Sequence, residues 1–338
     1  MPRLILHIGT HKTATTSIQQ FLRRHDTTLA ERGVFYPDYS LVGRGGHYAH
    51  LGMVNALMGR HKNYSQKDAE KFFGKVLERS RDFDTTIISA EPFYRHVDND
   101  PGDSPQYKPE EYWPLRNAYI AKMRDLFGEA EVVVVFRRQM DYAQSLYQEH
   151  VKVTSYRGTF KEFCKDFWFH FAFADQAEAW NTAFPGLRAM SFDNLLQSGN
   201  VVSEFCRLLG LPVEDLDQMP PSNEGMPVDM VVMKRMLHRT PRDREALRQD
   251  LETFAASLPE EVQSFFKSRS FFTSAREART FQKGFTADNE RLRPFLMHDL
   301  PQDKPVFGII PKPDRNYGDR IKPPVLDALL RMSLQSLK

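Results

Sequence analysis

Short apolar runs alternate along the chain with longer segments in which apolar residues recur every three or four positions. The first run covers residues 4–8 and closes at Gly9, and the segment 15–31 after it has the apolar spacing of a helix. Residues 131–136, four valines between a glutamate and a phenylalanine, carry the strongest strand signal. The same patterns predict further strands at 34–36, 85–90 and 187–192, and helices at 50–58, 65–79, 114–127, 140–153, 160–184 and 201–209.

Strands that alternate with helices and are apolar throughout are typical of a parallel sheet covered on both faces. We therefore expect an α/β fold with a central parallel sheet flanked by helices, formed by residues 1–215. The later pattern is helical and polar, so residues 216–338 are expected to be an α-helical C-terminal extension packed on the same domain. Gly9, Glu91 and Arg137 each follow a predicted strand, and ligands bind beyond the carboxyl ends of such strands.

Charge and composition narrow the possible partners. The 46 Lys and Arg residues nearly balance 44 Asp and Glu, and a net charge of +2 favours neither nucleic acid nor an anionic membrane. No segment has the apolar length of a transmembrane helix, and the N-terminal run lacks a basic leader, so we expect a soluble, cytoplasmic protein. Cys164 and Cys206 lie in helical patterns and are predicted to be buried thiols without a disulfide.

The turn between the first strand and the first helix is rich in groups that bind anions. A strand-to-helix turn points backbone N–H groups and the positive end of the helix dipole at a ligand. A helix cap alone would need one hydroxyl residue, whereas four of the five residues after Lys12 carry one, which favours phosphate binding. The predicted binding loop consists of Gly9, Thr10, His11, Lys12, Thr13, Ala14, Thr15, Thr16 and Ser17.

A nucleotide-dependent P-loop kinase is the alternative enzyme. Its loop has two glycines separated by four other residues, the second directly before the lysine, but Lys12 comes three residues after Gly9 with no second glycine between them. Such an enzyme also needs a carboxylate near a later strand end to hold magnesium, and here the strongest strand runs into Arg137 and Arg138. The sequence therefore predicts an arginine-rich site without a metal.

The loop resembles the 5′-phosphosulfate loop of sulfotransferases that use 3′-phosphoadenosine 5′-phosphosulfate (PAPS), and it is most similar to bacterial members related to carbohydrate sulfotransferases. Their second motif, a strand ending in arginine with a serine eight residues later, is matched by Arg137 and Ser145. Residues 190–212 are similar to the strand and helix that close the family's core, so the resemblance covers about residues 3–212.

That resemblance implies a P-loop-like fold, PAPS as donor and 3′,5′-ADP as product. It implies that Arg137 and Ser145 bind the 3′-phosphate, and that the 5′ end is held by Lys12, Thr13, Thr15, Thr16 and Ser17. Ala14 departs from the family, which usually has glycine there, and an alanine would be strained if the position needs a positive φ. A non-catalytic descendant that binds nucleotide or glycan is therefore a further alternative.

Sulfuryl transfer to a hydroxyl acceptor, a small molecule or a glycan, requires a base and cationic support for the leaving oxygen. Lys12 suits the second role. Glu91 is a candidate base because it ends a predicted strand, although a carboxylate there also suits a helix N-terminus. His47, in a glycine-flanked loop, is the rival base, since an imidazole accepts a proton near neutral pH. His50 is a weaker candidate, Ser89 is expected to assist by hydrogen bonding, and His7 is expected to be structural.

Overall fold

Five parallel strands form the central sheet of the protein. The computed structural model describes residues 2–10, 12–99, 107–217, 227–239, 243–263, 269–308, 316–318 and 320–335. The strands are β1 (Arg3–His7), β2 (Val34–Phe35), β3 (Thr85–Ser89), β4 (Glu131–Phe136) and β5 (Arg188–Ser191). Their order in the sheet is β2-β3-β1-β4-β5, and every neighbouring pair is parallel. The predicted α/β fold with a parallel sheet flanked by helices is confirmed.

The helices follow the predicted pattern with two divisions and one extension. The helix predicted over 160–184 is interrupted between Asp166 and Phe173. The helix predicted over 15–31 is divided at His25, whose φ of −105° and ψ of 15° leave the helical region, and the helix predicted from residue 114 begins earlier, at Pro109. The helices are α1 (Thr15–Arg24), α2 (Asp26–Glu31), α3 (Leu51–Leu57), α4 (Gln66–Arg79), α5 (Pro92–Arg95), α6 (Pro109–Phe127), α7 (Gln139–Val153), α8 (Phe160–Asp166), α9 (Phe173–Ala183), α10 (Phe192–Gln197), α11 (Val201–Leu209), α12 (Val228–Leu237), α13 (Arg244–Ser257), α14 (Glu260–Gln263), α15 (Ala275–Lys283), α16 (Thr286–Glu290) and α17 (Pro323–Gln335).

Both faces of the sheet are buried because successive strand residues point to opposite sides. Ile5, Ile87 and Val133 face a core that α1 and α11 complete with apolar residues such as Phe21 and Phe205. The alternate strand positions Leu6, Ile88, Val132 and Val134 are also 0% exposed. This double coverage explains why the strands are apolar throughout rather than alternating with polar residues.

Close contacts divide the chain into two units. The first contains residues 1–138, 169–222 and 286–308, and it holds the five-stranded sheet with α1–α6, α9–α11 and α16. The second contains residues 139–168, 223–285 and 309–338. In it α7 packs against α12 and α15, and two short strands, β6 (Arg269–Ser270) and β7 (Asn316–Tyr317), pair in parallel. The boundary expected near residue 215, with a helical extension packed on the same domain, stays a prediction.

The two cysteines differ in their surroundings. Cys206 is buried in the core against the sheet, as predicted, whereas Cys164 is only half-buried on α8, so the prediction of a buried thiol is wrong there. Both thiols are free, and burial raises the pKa of each to about 12. Within the described ranges, no helix has the length and apolar content needed to cross a membrane.

Candidate functional site

The carboxyl ends of the three central strands open onto one edge of the sheet. His7, the last residue of β1, pairs with Ser89 at the end of β3 and with Val133 of β4, which continues for three more residues. Because the strands are parallel, the segments that begin at Gly9, Glu91 and Arg137 all leave the sheet at this edge.

The backbone of the loop after β1 turns sharply. Lys12 and Ala14 have φ angles of 62° and 60°, while Thr13 between them does not lie in that left-handed region. A backbone that alternates in this way forms a concave row of N–H groups of the kind that binds anions in phosphate loops. For residues with a side chain the left-handed region is unfavourable, and such strain is concentrated at functional sites. Ala14 therefore stands at a position that favours glycine.

Gly9 is required by close packing beneath the loop. A side-chain carbon at this position would lie 2.8 Å from the Thr15 methyl group and 3.1 Å from Nε2 of His7. Real Cβ atoms essentially never show the first of these distances, so any other residue would displace the Thr15 side chain.

Three of the predicted loop hydroxyls hold the loop together. Thr10 donates to the carbonyl oxygen of Val135 at 2.7 Å, and Thr13 and Thr15 donate to the carbonyl oxygen of Thr10 at 2.7 and 3.2 Å. All three are buried. A hydroxyl has one proton to donate, so these bonds use the donors that the sequence suggested for a ligand. Thr16 and Ser17 lie half-buried in the first turn of α1. His11 lies outside the described residues.

The N-terminus of α1 has no side-chain cap. Ala14 occupies the capping position and has no side chain that could accept from the N–H groups of the first turn. These N–H groups have no partner within a helix, and the helix dipole adds partial positive charge to them. The concave loop and the uncapped turn therefore offer one continuous set of donors to an anion.

Replacing Ala14 by glycine is expected to raise the free energy of unfolding by about 1 kcal/mol, because glycine adopts positive φ without a steric cost. Ala30 on α2 supplies the control, since its φ is helical and Ala30→Gly should lower stability by about 1 kcal/mol. Urea unfolding curves with equal slopes would measure both changes. A loss of stability in A14G would contradict the strain assigned to this residue.

The two arginines after β4 have different environments. Arg137 is half-buried, donates from Nη1 to the carbonyl oxygen of Lys12 at 3.1 Å and stacks over the ring of Phe192 at 5.4 Å. Arg138 is only 9% exposed and donates to the carbonyl oxygen of Gly308 at 3.1 Å. Arg137 is thus the arginine that the structure brings to the loop.

Ser145, the predicted partner of Arg137, lies on α7 and is half-buried. It belongs to the second unit, whereas Arg137 belongs to the first. Its role at the 3′-phosphate stays a prediction from the sequence.

Glu91 lies two residues after β3, at the residue before α5, and is 9% exposed. Burial raises the pKa of its carboxyl above the ordinary glutamate value, and hydrogen bonds from its own backbone and from the Gln19 side chain only partly oppose that effect. A carboxylate with a raised pKa is a better proton acceptor near neutral pH. Because Gln19 lies on α1, Glu91 contacts the helix that follows the loop.

A buried polar network underlies these residues, and the sequence pattern did not reveal one of its members. His7 Nδ1 lies 2.9 Å from Oγ of Ser89, and Gln19 Nε2 donates to the same oxygen at 3.1 Å. Burial lowers the pKa of His7 to about 3, so it is neutral and structural, as expected. Gln19 was missed because a glutamine in a helix is usually exposed; its spacing of four residues from Thr15 was the available signal.

The two loop histidines are not equivalent. His50 is fully buried, accepts the backbone N–H of Ser89 at 2.9 Å on Nδ1 and donates from Nε2 to the carbonyl oxygen of Pro37 at 2.6 Å, so it is a structural residue. Burial lowers its pKa to about 4. His47 is half-buried and stacks on Tyr48 and Tyr39 with ring separations of 4.6 and 5.7 Å. Its Nδ1 lies 3.0 Å from both N and O of Ala49, which leaves Nε2 as the atom for a substrate proton.

The described residues contain no cluster of three histidine, cysteine or acidic side chains that could hold a metal ion.

No protein-family model matches the chain. No curated protein matches it either. Among solved structures, the crystal structure of a sulfotransferase from Alicyclobacillus acidocaldarius aligns with 73% of this chain and 99% of its own, at 15% sequence identity and a TM-score of 0.39. This similarity is too low to assign an activity.

Proposed function

We propose that the protein is a sulfotransferase that moves a sulfuryl group from PAPS to a hydroxyl group of a carbohydrate acceptor, with 3′,5′-ADP as the second product. The observation that carries this proposal is the strained, uncapped loop at the start of α1, with the buried carboxyl of Glu91 against the same helix. A site built to hold an anion beside a base of raised pKa suits transfer of an anionic group to a hydroxyl.

The loop residues fit the phosphosulfate end of the donor. The backbone N–H groups of the alternating loop and of the first turn of α1 would bind its phosphate oxygens, and the Thr16 and Ser17 hydroxyls would add donors. Thr10, Thr13 and Thr15 would act indirectly, by fixing the loop. Lys12 would neutralise the charge that develops on the phosphate oxygen when the bond between sulfur and that oxygen breaks.

Arg137 would bind the 3′-phosphate of the donor. Its bond to the carbonyl oxygen of Lys12 uses one guanidinium N–H and leaves the group beside the loop. A planar guanidinium suits a phosphate because it can donate two parallel hydrogen bonds. The contact between Arg137 and the 3′-phosphate would distinguish a 3′-phosphorylated donor from ATP.

Glu91 would accept the proton of the acceptor hydroxyl as its oxygen attacks the sulfur of the donor. The donor supplies an activated sulfuryl group, so the protein needs to orient the acceptor, remove one proton and stabilise the leaving phosphate. His47 is the alternative base, since its Nε2 points away from the Nδ1 contact with Ala49.

Isothermal titration calorimetry with 3′,5′-ADP tests this assignment. Binding that persists in EDTA and is lost in Arg137→Ala is the expected result, and no binding of ATP with magnesium is expected. Magnesium-dependent ATP binding in place of 3′,5′-ADP binding would instead indicate a kinase. Transfer of radioactive sulfate from PAPS to a panel of sugars then separates an enzyme from a non-catalytic nucleotide-binding protein.

A further inference from the structure

Gln19 is a buried amide on the helix that begins at the donor loop. It lies on α1, is 1% exposed, and follows Thr15 by four residues, so both side chains lie on the same face of the helix. A buried amide is stable only when its polar atoms find hydrogen-bond partners, because an unpaired buried donor or acceptor costs stability. The partners of Gln19 therefore indicate what holds this glutamine in place.

Three oxygen atoms surround the amide nitrogen of Gln19. Nε2 lies 3.3 Å from the carbonyl oxygen of Ser89, 3.1 Å from Ser89 Oγ and 3.5 Å from Oε2 of Glu91. The carbonyl and the carboxylate can only accept, so the N–H side of the amide must face them. The orientation of the Gln19 side chain is therefore fixed by its neighbours.

Ser89 is the rigid end of this arrangement. It is 0% exposed, its backbone pairs with His7 in the sheet, and its hydroxyl lies 2.9 Å from Nδ1 of His7. The bonds to Ser89 thus anchor the Gln19 amide to the end of β3. The third hydrogen bond, from Gln19 Nε2 to Oε2 of Glu91, restrains the Glu91 side chain, whose rotatable bonds the sheet does not fix.

We propose that Gln19 is a positioning residue that holds the carboxylate of Glu91 against α1, at a set distance from the donor loop; this inference rests on the proposed role of Glu91 as the base. One rigid helix then carries the uncapped turn for the donor at its start and, four residues after Thr15, the amide that orients the base. The relative position of the base and the donor is fixed because α1 locates both of them.

Gln19→Met tests the proposal, because methionine has a similar length and no N–H donor. Gln20→Met, at the half-buried next residue of α1, is the matched control. The first measurement is the pH titration of the Glu91 carboxyl by NMR in protein labelled with ¹³C at the glutamate carboxyl, with the signal assigned by its loss in Glu91→Gln. The second is the rate of sulfuryl transfer against pH, and the third is the affinity for 3′,5′-ADP.

In Q19M the Glu91 titration should move to higher pH, because a donor that favours the carboxylate has been removed. The fall of the transfer rate in acid should move with it, and the rate on the plateau should drop about tenfold as the base loses its orientation. Affinity for 3′,5′-ADP should stay at the wild-type value, and Q20M should match wild type in all three measurements.

An unchanged Glu91 titration in Q19M would overturn the contact. If the Glu91 titration moves in Q19M but the wild-type protein transfers sulfuryl to no acceptor, the contact between Gln19 and Glu91 stands. The role of Glu91 as the base, and with it the proposed function, would then be overturned. A shifted titration with an unchanged rate profile would overturn the positioning role alone. If Q19M does not fold, Gln19→Asn, which withdraws the amide by one methylene group, must shift the Glu91 titration in the same direction.

Discussion

Replacing Glu91 by glutamine is expected to lower the rate of sulfuryl transfer by about 10²–10⁴-fold, the usual contribution of a general base. Affinity for 3′,5′-ADP should be retained, because the donor is proposed to bind the loop and Arg137 rather than this carboxyl. Transfer assays with labelled PAPS, together with calorimetry, measure the two effects separately. In the wild type the rate should fall as the pH drops through the raised pKa of Glu91, and this dependence should be absent in E91Q.

The same substitution should stabilise the protein at neutral pH. Burial raises the pKa of Glu91, so the folded protein binds this proton more tightly than the unfolded chain does. The stability that this tighter proton binding contributes is present below the ordinary glutamate pKa. It is lost as the pH rises through the raised pKa that Glu91 has in the folded protein. E91Q avoids that loss, and its advantage in thermal unfolding should disappear in acid.

Glu31→Gln, on the exposed last residue of α2, is the control for the charge change alone. It should leave both the transfer rate and the pH dependence of stability unchanged. If E91Q transferred sulfuryl at the wild-type rate, the base would be assigned to His47, and His47→Gln should then remove activity.

Removing the ammonium group of Lys12 is expected to lower the transfer rate by about 10²–10³-fold, the cost of losing one group that stabilises charge in the transition state. The fold-change in rate should exceed the fold-change in 3′,5′-ADP affinity, since the proposed role of Lys12 is strongest when the leaving oxygen gains charge. Single-turnover transfer and calorimetry on Lys12→Ala provide the comparison.

Lys12→Gly separates the charge of this residue from its backbone strain. The φ angle of 62° favours glycine, so K12G should be more stable than K12A by about 1 kcal/mol and yet equally impaired in transfer. A glycine variant with wild-type activity would show that the backbone conformation, rather than the cation, matters at this position.

Several features that cost stability lie together around the donor loop. Lys12 and Ala14 have unfavourable backbone angles, Glu91 is a buried acid, and His7 is a buried imidazole below the loop. Each of these features lowers stability, and they persist because the strands and α1 around them are held by a large apolar core. Variants that relieve them should be more stable, and those that lose the charge of Lys12 or Glu91 should be less active.

The order of strands and helices could be read from the sequence because apolar periodicity is a local property. Residues 131–136 are a strand in the pattern and in the structure, and the helix predicted over 65–79 is present as α4, which Ser65 caps. The end of α1 was not foreseen, since the apolar spacing continues through His25 into α2 and does not show where the backbone leaves the helix.

The sequence by itself determined that a strand, an anion-binding turn and a helix follow one another, and that Glu91 and Arg137 each follow a strand. The tertiary structure decided which side chains are available there. Thr10 donates to a carbonyl 125 residues away, and Gln19 contacts an acid 72 residues away. Such partners are set by the packing of segments that are distant in the sequence. Local periodicity also does not show which of two adjacent residues, Arg137 or Arg138, turns toward the loop.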